Sequence, residues 1–264
     1  MNQKTLQAGR HDWTNILFIG FAHLAAVFAL IYLFAVKCSG WTVALAFCGL
    51  SITGGYHRLF SHRTYKTGKA LRAFYLFFGA AAVQNSALKW SSDHRRHHSH
   101  TDRDGDPYNI QRGFFWAHIG WIFFITERVE TRGVKDLQAD PLIRFQDRFY
   151  VPLAIFAGVL LPACLGFLWG DPIGAALVAG FLRLAVQWHA TFFVNSVAHL
   201  WGSRPFSTKT SARDSFLTAV ITLGEGYHNF HHKFQVDYRN GIRWYHLDPT
   251  KWFVWTLSKV GLTW

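Results

Sequence analysis

The sequence predicts an all-α integral membrane protein with four transmembrane helices, arranged as two hairpins, together with interfacial helices and a histidine-lined cytosolic cap. Half of its 264 residues are hydrophobic, and only 16% are charged, against about 25% in typical soluble domains. Four apolar stretches have lengths near the roughly 20 residues that cross a bilayer. Eight of the 15 histidines fall in three short boxes. We expect residues 1–264 to form one domain.

The predicted spans are paired by short turns. Polar turns at 37–40 and 170–172 join the two members of each hairpin. The second span contains Gly49, Gly54 and Gly55, small residues that let helices approach closely. The four spans are 16–36, 41–56, 150–169 and 173–194.

Two shorter apolar stretches lie between the hairpins. Residues 70–83 and 114–125 are too short to cross a bilayer, and they suit helices that lie at its interface. The mixed polar stretch 127–148 that follows them is expected to be a cytosolic connector.

The distribution of positive charge predicts the orientation of the chain in the bilayer. Of the 27 Lys and Arg residues, Lys37 lies in a hairpin turn, Arg183 lies inside a span, and the other 25 lie on the opposite face. By the positive-inside rule that face is cytoplasmic, so we expect both termini and all histidine boxes there, in a bacterial inner membrane. The net charge of +12 does not indicate a nucleic-acid partner, because the apolar runs are long and no nucleic-acid motif is present.

Two of the histidine boxes share one spacing. Their histidines stand at i, i+3 and i+4, which places all three on one face of a helix. Each neutral imidazole offers a nitrogen lone pair, so such a face indicates metal ligands. The boxes are His94, His97 and His98, and His228, His231 and His232.

The remaining box, which comes first in the chain, is spaced differently. His57 and His62 are five residues apart, about 140° around an α-helix, so they either flank a metal pair or lie on either side of a helix break. Asn195 and His199 stand at i, i+4 where the fourth span ends. With His199 the candidate ligands number nine, which exceeds the four or so of one tetrahedral zinc and suits two metals of higher coordination. Spacing does not identify the metal, because imidazole suits iron, copper, nickel and zinc alike.

The remaining histidines are not expected to be ligands. We expect His23 to be a packed or interfacial histidine, because no box lies near it. His100 lies about 200° around a helix from His98, off the ligand face. Carboxylates in the stretch 102–106 are expected to accept hydrogen bonds from the imidazoles and orient them. The other histidines of this kind are His11, His118, His189 and His246.

Four segments carry a resemblance to a known family. They are 54–66 (GGYHRLFSHRTYK), 84–98 (QNSALKWSSDHRRHH), 181–202 (FLRLAVQWHATFFVNSVAHLWG) and 224–238 (GEGYHNFHHKFQVDY). Their ordered boxes resemble those of the membrane-bound fatty acid desaturases, most closely the acyl-CoA (stearoyl-CoA type) desaturases, over roughly residues 13–262. The resemblance implies a centre of two iron ions that uses O2 to introduce a cis double bond into a long-chain acyl group, with acyl-CoA as the foremost substrate.

The resemblance also implies roles for individual residues. The nine histidines would hold the iron ions, and Asn195 would contact one of them through water. One position of the bent acyl tunnel is Trp in the animal enzymes and Phe192 here. A further tunnel residue is expected on the second span, which ends beside a histidine box. The expected substrate-binding residues are Gln84, Trp90, Thr191, Phe192 and Leu45.

Several features leave alternatives open. Those enzymes have a pair of basic residues where this sequence has Thr126 and Glu127 or their neighbours. Because that pair is missing, the substrate could instead be an acyl group on a carrier protein or a lipid. We expect a separate electron donor such as ferredoxin or cytochrome b5, since the sequence shows no cytochrome b5-like extension. A membrane di-iron hydroxylase of a fatty acid, alkane or sterol is the alternative enzyme. A metal transporter or haem-binding protein is disfavoured, because the predicted spans contain no Asp or Glu.

Overall fold

The computed structural model describes residues 10–35, 49–125, 131 and 133–264. The predicted all-α class is confirmed: within these residues the only strands are two-residue segments, β1 (Arg10–His11) and β2 (Phe124–Ile125), which pair antiparallel. In chain order the helices are α1 (Trp13–Ala35), α2 (Ser51–Ser61), α3 (Lys69–Ala80), α4 (Ala87–His100), α5 (Phe114–His118), α6 (Lys135–Gln138), α7 (Pro141–Arg148), α8 (Tyr150–Trp169), α9 (Pro172–Leu200), α10 (Phe216–Ile221), α11 (His228–Lys233) and α12 (Pro249–Lys259).

Three of the described helices, α1, α8 and α9, are long and apolar enough to cross a membrane. They correspond to the predicted spans 16–36, 150–169 and 173–194, although α9 runs on to Leu200. Half of the second predicted span, residues 41–48, lies outside the described residues, so the arrangement of four spans in two hairpins stays a prediction. Residues 51–56 of that span lie in α2, which continues through His57 to Ser61.

Two hydrophobic cores hold these helices together. Helices α2, α3 and α4 share the first core, in which Tyr56 and Tyr75 are fully buried. The expected close approach of helices at small residues is confirmed at Gly55, where an added Cβ would lie 2.6 Å from the Cβ of Tyr75. The second core joins α1 to α9 and includes Ile19 and Trp188. These contacts place the C-terminal part of α9 beside α1.

The two short apolar stretches form broken helical segments. Residues 70–83 contain most of α3, and residues 114–125 contain α5, a 3₁₀ turn (Gly120–Phe123) and β2. Helix α5 packs against α9, and the backbone N–H of Asp12, just before α1, donates to the carbonyl of Phe123 at 2.8 Å. The second stretch therefore connects α1 with the end of α9 that carries His199.

Candidate metal centre

The nine candidate histidines converge into two groups. Within each group, one nitrogen of every member lies within 4.8 Å of the corresponding nitrogens of the others. We call them the five-histidine group and the four-histidine group. The first contains His57, His62, His94, His98 and His231, and the second contains His97, His199, His228 and His232.

Helices α4 and α11 divide their histidines between the groups in opposite ways. In α4 the i, i+4 pair, His94 and His98, belongs to the five-histidine group, whereas His97 belongs to the other. In α11 the i, i+4 pair belongs to the four-histidine group and His231 to the five-histidine group. The Nε2 atoms of His231 and His98 are 3.1 Å apart, and those of His97 and His232 are 3.3 Å apart. Each helix therefore contributes to both groups.

The first box reaches the centre because α2 is a π-helix. Hydrogen bonds of a π-helix join residues five apart, and the N–H of His62 donates to the carbonyl of His57 at 3.1 Å. On an α-helix these two side chains would diverge by about 140°. Here their ring centroids are 4.9 Å apart, and both join the five-histidine group. Both histidines thus belong to one group, with His57 inside α2 and His62 just past its end.

Buried carboxylates orient one ring in each group. The Nδ1 of His57 donates to Glu225 at 2.9 Å, and the Nδ1 of His97 donates to Asp106 at 2.8 Å. A carboxylate only accepts, so each Nδ1 carries the proton and each Nε2 keeps its lone pair. Both rings therefore present an unprotonated Nε2 to the inside of their group, as metal-binding imidazoles do.

The third oriented ring belongs to α9. His199 Nδ1 donates to the hydroxyl of Ser211 at 2.7 Å, and that hydroxyl donates to Asp102 at 2.5 Å. The expected role of the stretch 102–106 is confirmed in these contacts, directly for Asp106 and through Ser211 for Asp102. Sequence reasoning missed Ser211 and Glu225. Glu225 could have been found, because it stands three residues before the first histidine of the third box.

Glu225 is fixed by a buried ion network. Arg58 donates to Glu225 at 2.8 Å and to Asp248 at 2.9 Å, and all three side chains are almost inaccessible to solvent. Burial alone would raise the pKa of Glu225, but the neighbouring Arg58 and His57 outweigh it and lower that pKa to about 2. The carboxylate is therefore ionised at neutral pH and holds the proton of His57 on Nδ1.

The nitrogens inside the two groups could serve as metal ligands. His199 Nε2 is buried and has no hydrogen-bond partner among the described residues. His231 Nε2 lies 3.1 Å from the Nε2 atoms of both His57 and His98, and a single N–H cannot serve both contacts. Burial holds the pKa of six of these histidines well below the usual value, so they are neutral at pH 7 and fit the donor set of two metal ions. The six are His62, His94, His98, His228, His231 and His232.

A cavity of about 930 Å³ adjoins the five-histidine group, since His94 forms part of its wall. Apolar side chains such as Phe18 and Ile155 contribute to the same wall. Asn195 also lines this cavity. The structure places there four of the expected substrate-binding residues: Gln84, Trp90, Thr191 and Phe192.

A strained turn fixes the amide of Gln84 in the cavity wall. Val83 and Asn85, on either side of it, have left-handed backbones with φ of 50° and 74°, which is unfavourable for a β-branched residue such as Val. The Gln84 amide donates to the Thr191 hydroxyl at 3.0 Å and accepts from the Trp90 indole at 3.3 Å. The amide therefore bridges α4 and α9 across the cavity wall.

Other expectations have mixed outcomes. Leu45, Thr126 and Glu127 lie outside the described residues. His100 is exposed on α4 and belongs to neither group, as expected. His23 also belongs to neither group, and the packing of α1 on α9 brings its Nε2 to 3.0 Å from that of His189, which is 166 positions away in the chain.

The chain is similar to known proteins of one family. The sequence model of the family described as fatty acid desaturase matches residues 39–262. The chain is 50% identical over 220 residues to "Probable acyl-CoA desaturase" of Schizosaccharomyces pombe and 45% identical over 217 residues to "Acyl-CoA desaturase 1" of Saccharomyces cerevisiae. These matches cover 82% and 81% of this chain but only 46% and 42% of the yeast proteins.

A third relative is matched over more of its length. "Stearoyl-CoA desaturase 5" of Bos taurus is 37% identical over 262 residues, which cover 95% of this chain and 78% of the bovine protein. All three relatives are eukaryotic, so the comparisons do not support the expected bacterial inner membrane. The family match and the bovine relative lead to one conclusion: the chain belongs to the fatty acid desaturase family.

Proposed function

We propose that this chain is an O2-dependent acyl-CoA desaturase that introduces a cis double bond into a long acyl chain. The observation that carries this proposal is the pair of buried histidine groups beside a largely apolar cavity. The names of the three relatives support an acyl-CoA as the substrate. The chain spans less than half the length of either yeast relative. Its activity, substrate and partners are therefore all part of this proposal.

We further propose that each histidine group holds one iron ion and that Asn195 contacts one of them through water. Five and four imidazoles suit metals of coordination number five or six that keep a position open for a reactant. When bound, the iron pair would supply the oxidant that removes hydrogens from an unactivated methylene pair. The task of Glu225, Asp106 and Ser211 is to hold their histidines in the tautomer that points Nε2 inward.

The cavity is the proposed site of the acyl chain. Because Gln84 bridges to Thr191 within the wall that also contains His94, it would fix the path of the chain past the five-histidine group. A fixed path selects the methylene pair that reacts by proximity. Lys89 and Arg96 also line the cavity and would attract the phosphates of a CoA head group.

We also propose that the protein lies in the lipid bilayer with its metal centre on the cytoplasmic side. The three described apolar helices support the membrane location, and the cation count of the sequence supports the orientation. A separate protein, such as ferredoxin or cytochrome b5, would supply electrons. The 25 cations predicted on the cytosolic face would attract an acidic donor of this kind.

Lipid profiling of a host that expresses the chain tests this function. We expect products two mass units lighter than the host's saturated acyl chains from the wild type and from the His100→Ala variant. His97→Ala should give none, although it accumulates in membranes to the same level. His100 is the matched control, because it lies on the same helix but is exposed and outside both groups. Products that gain one oxygen would instead establish the hydroxylase, and an active His97→Ala enzyme would contradict the metal pair.

A further inference from the structure

Helix α10 has an exposed face that is entirely apolar. Its six residues read FLTAVI, and only Thr218 and Ala219 among them are buried. The other four side chains are 41–65% exposed and lie within an arc of about 140° around the helix. A contiguous apolar group of this kind marks a surface that contacts lipid, a ligand or another protein. We call it the α10 patch, and it consists of Phe216, Leu217, Val220 and Ile221.

Helix α10 lies against two segments that are expected to cross the bilayer. It packs on α9, one of the three long apolar helices. The turn that ends α10 reaches the second predicted span, 41–56, because a Cβ added to Gly49 would lie 3.6 Å from Cδ1 of Leu223. Gly49 is seven residues before the end of that span, about 10 Å along a helix. Interfacial helices bury their apolar faces about 5–10 Å into the bilayer, so α10 lies at the depth of such a helix.

Aromatic side chains of α12 lie nearer the end of the same span. The hydroxyls of Thr53 and Thr250 are 2.6 Å apart, and Thr53 is only three residues before the end of the predicted span. Trp252 and Trp255 stand at i and i+3 on α12, and both are exposed. The Nζ of Lys259 lies 5.0 Å from the centre of the Trp255 ring. Exposed tryptophan is typical of the headgroup level of a bilayer, and lysine beside it would attract anionic lipid.

An exposed apolar residue elsewhere has different surroundings. Val236, in the loop after α11, is 78% exposed, but Lys233 and Arg239 near it in the chain are exposed as well. Such a residue is ordinary on a surface that faces water. The α10 patch contains no charged residue, and its helix packs on a segment long enough to cross a membrane. Charge and position therefore distinguish the two sites.

We propose that α10 is a membrane-interfacial helix, with its patch among the lipid acyl chains and with Trp252 and Trp255 at the headgroups. Two observations favour lipid over a protein partner. The bilayer itself fills the space beside α9 and the second span, and the patch offers a partner neither charge nor a hydrogen-bonding side chain. The proposal rests on the proposed bilayer location and is independent of the proposed reaction.

The interfacial helix would also brace the histidines of α11. Gly224, with φ of 101°, reverses the chain after α10, and its N–H donates to the carbonyl of Ala219 at 2.8 Å. Gly226 packs so closely on α10 that an added Cβ would lie 2.2 Å from the backbone nitrogen of Ala219. Between these glycines, Glu225 accepts from His57. Lipid that holds α10 would therefore also hold this carboxylate and the start of α11.

Site-specific fluorescence quenching tests the location, in lipid nanodiscs that each hold one copy of the full-length chain. The three native cysteines are replaced by alanine, and one fluorescent label is attached at a new cysteine. We expect the label at Val220→Cys to be quenched by lipid with a nitroxide on its acyl chain and to be protected from aqueous iodide. The label at Trp255→Cys should respond most to a nitroxide on the lipid headgroup. Val236→Cys, the matched exposed valine, should be quenched by iodide alone.

A label at Leu24→Cys reports the bilayer location itself. Leu24 is exposed on α1, about halfway through a bilayer core, and its label should be quenched by the acyl-chain nitroxide. If it is, iodide quenching at Val220 would overturn the interfacial helix while the membrane location stands. Protection at Val220 from both quenchers would show that protein covers the patch, which also overturns it. Iodide quenching at Leu24 would refute the bilayer location and, with it, this proposal.

Hydrogen exchange in the same nanodiscs tests the bracing role. Val220→Glu places a charge among the acyl chains, so the backbone amides of 216–232 should exchange several-fold faster than in the wild type. Val236→Glu should leave their exchange unchanged. Both valines are exposed, so neither substitution removes a buried contact. Equal exchange in the two variants would overturn the bracing role. Neither measurement depends on turnover, so failure of the proposed reaction would be recognised separately.

Discussion

The hydrogen bond from His97 to Asp106 provides a graded test of the four-histidine group. In Asp106→Asn the carboxylate charge is lost, while the shape of the side chain is kept. Oδ1 of Asp106 accepts from His97 at 2.8 Å and from the N–H of Tyr108 at 3.0 Å, and Oδ2 accepts from the N–H of Asp102 at 3.2 Å. An asparagine side chain has one amide oxygen, which accepts, and one NH2 group, which only donates. The NH2 group would therefore face an N–H donor on one side of the residue, and the hydrogen bond there would be lost.

Loss of such an outer partner lowers metal affinity by about 10- to 100-fold, which is about 1.4–2.8 kcal/mol. We expect the upper part of that range, because Asp106 has several donors to satisfy. Iron per chain, measured after dialysis against increasing chelator, should show one of two ions released at a correspondingly lower chelator concentration. Asp104→Asn is the matched control, since it removes the same charge from an exposed neighbour. Identical release curves for the two variants would refute the assigned role of Asp106.

Three further perturbations follow from the same contacts. Burial lowers the pKa of six histidines in the two groups, so below about pH 6.5 the unfolded chain binds more protons than the folded chain. The Tm of metal-free protein should therefore fall as the pH is lowered from 7.5 to 5.5. A Tm that does not change over this range would contradict the burial of these histidines. Arg58→Met removes the buried cation that pairs with Glu225 and should cost about 3–5 kcal/mol of stability, whereas exposed Arg63→Met should leave the Tm nearly unchanged. Phe192→Ala removes a ring from the cavity wall, which enlarges the cavity and should shift the products toward other chain lengths. An unchanged product profile would show that Phe192 does not contact the acyl chain.

The parts of the fold that depend on local pattern could be predicted from the sequence. Apolar length located α1, α8 and α9, because a bilayer imposes a minimum length on any helix that crosses it. The spacing of the histidines in α4 and α11 placed them together, since i, i+3 and i+4 share one helix face. Spacing could not show that His97 joins the group of the α11 pair, or that His231 joins the group of the α4 pair. That division depends on how the two helices pack.

Other features depend on irregular winding or on contacts between distant segments. The separation of His57 from His62 predicts divergent side chains on an α-helix, and only the π-helical winding of α2 brings them together. The pairing of His23 with His189 arises from helix packing across 166 positions of chain. Glu225 carried a signal, but its contact with His57 required the fold to become apparent.

Anomalous scattering at the iron absorption edge, from crystals of the iron-loaded chain, locates the proposed metal ions. We expect two iron peaks, one within each histidine group, with Fe–N distances near the roughly 2.0–2.1 Å of a zinc–imidazole bond. A single peak, a peak remote from the nine histidines, or no iron in a preparation that still desaturates lipids would contradict the proposed metal pair.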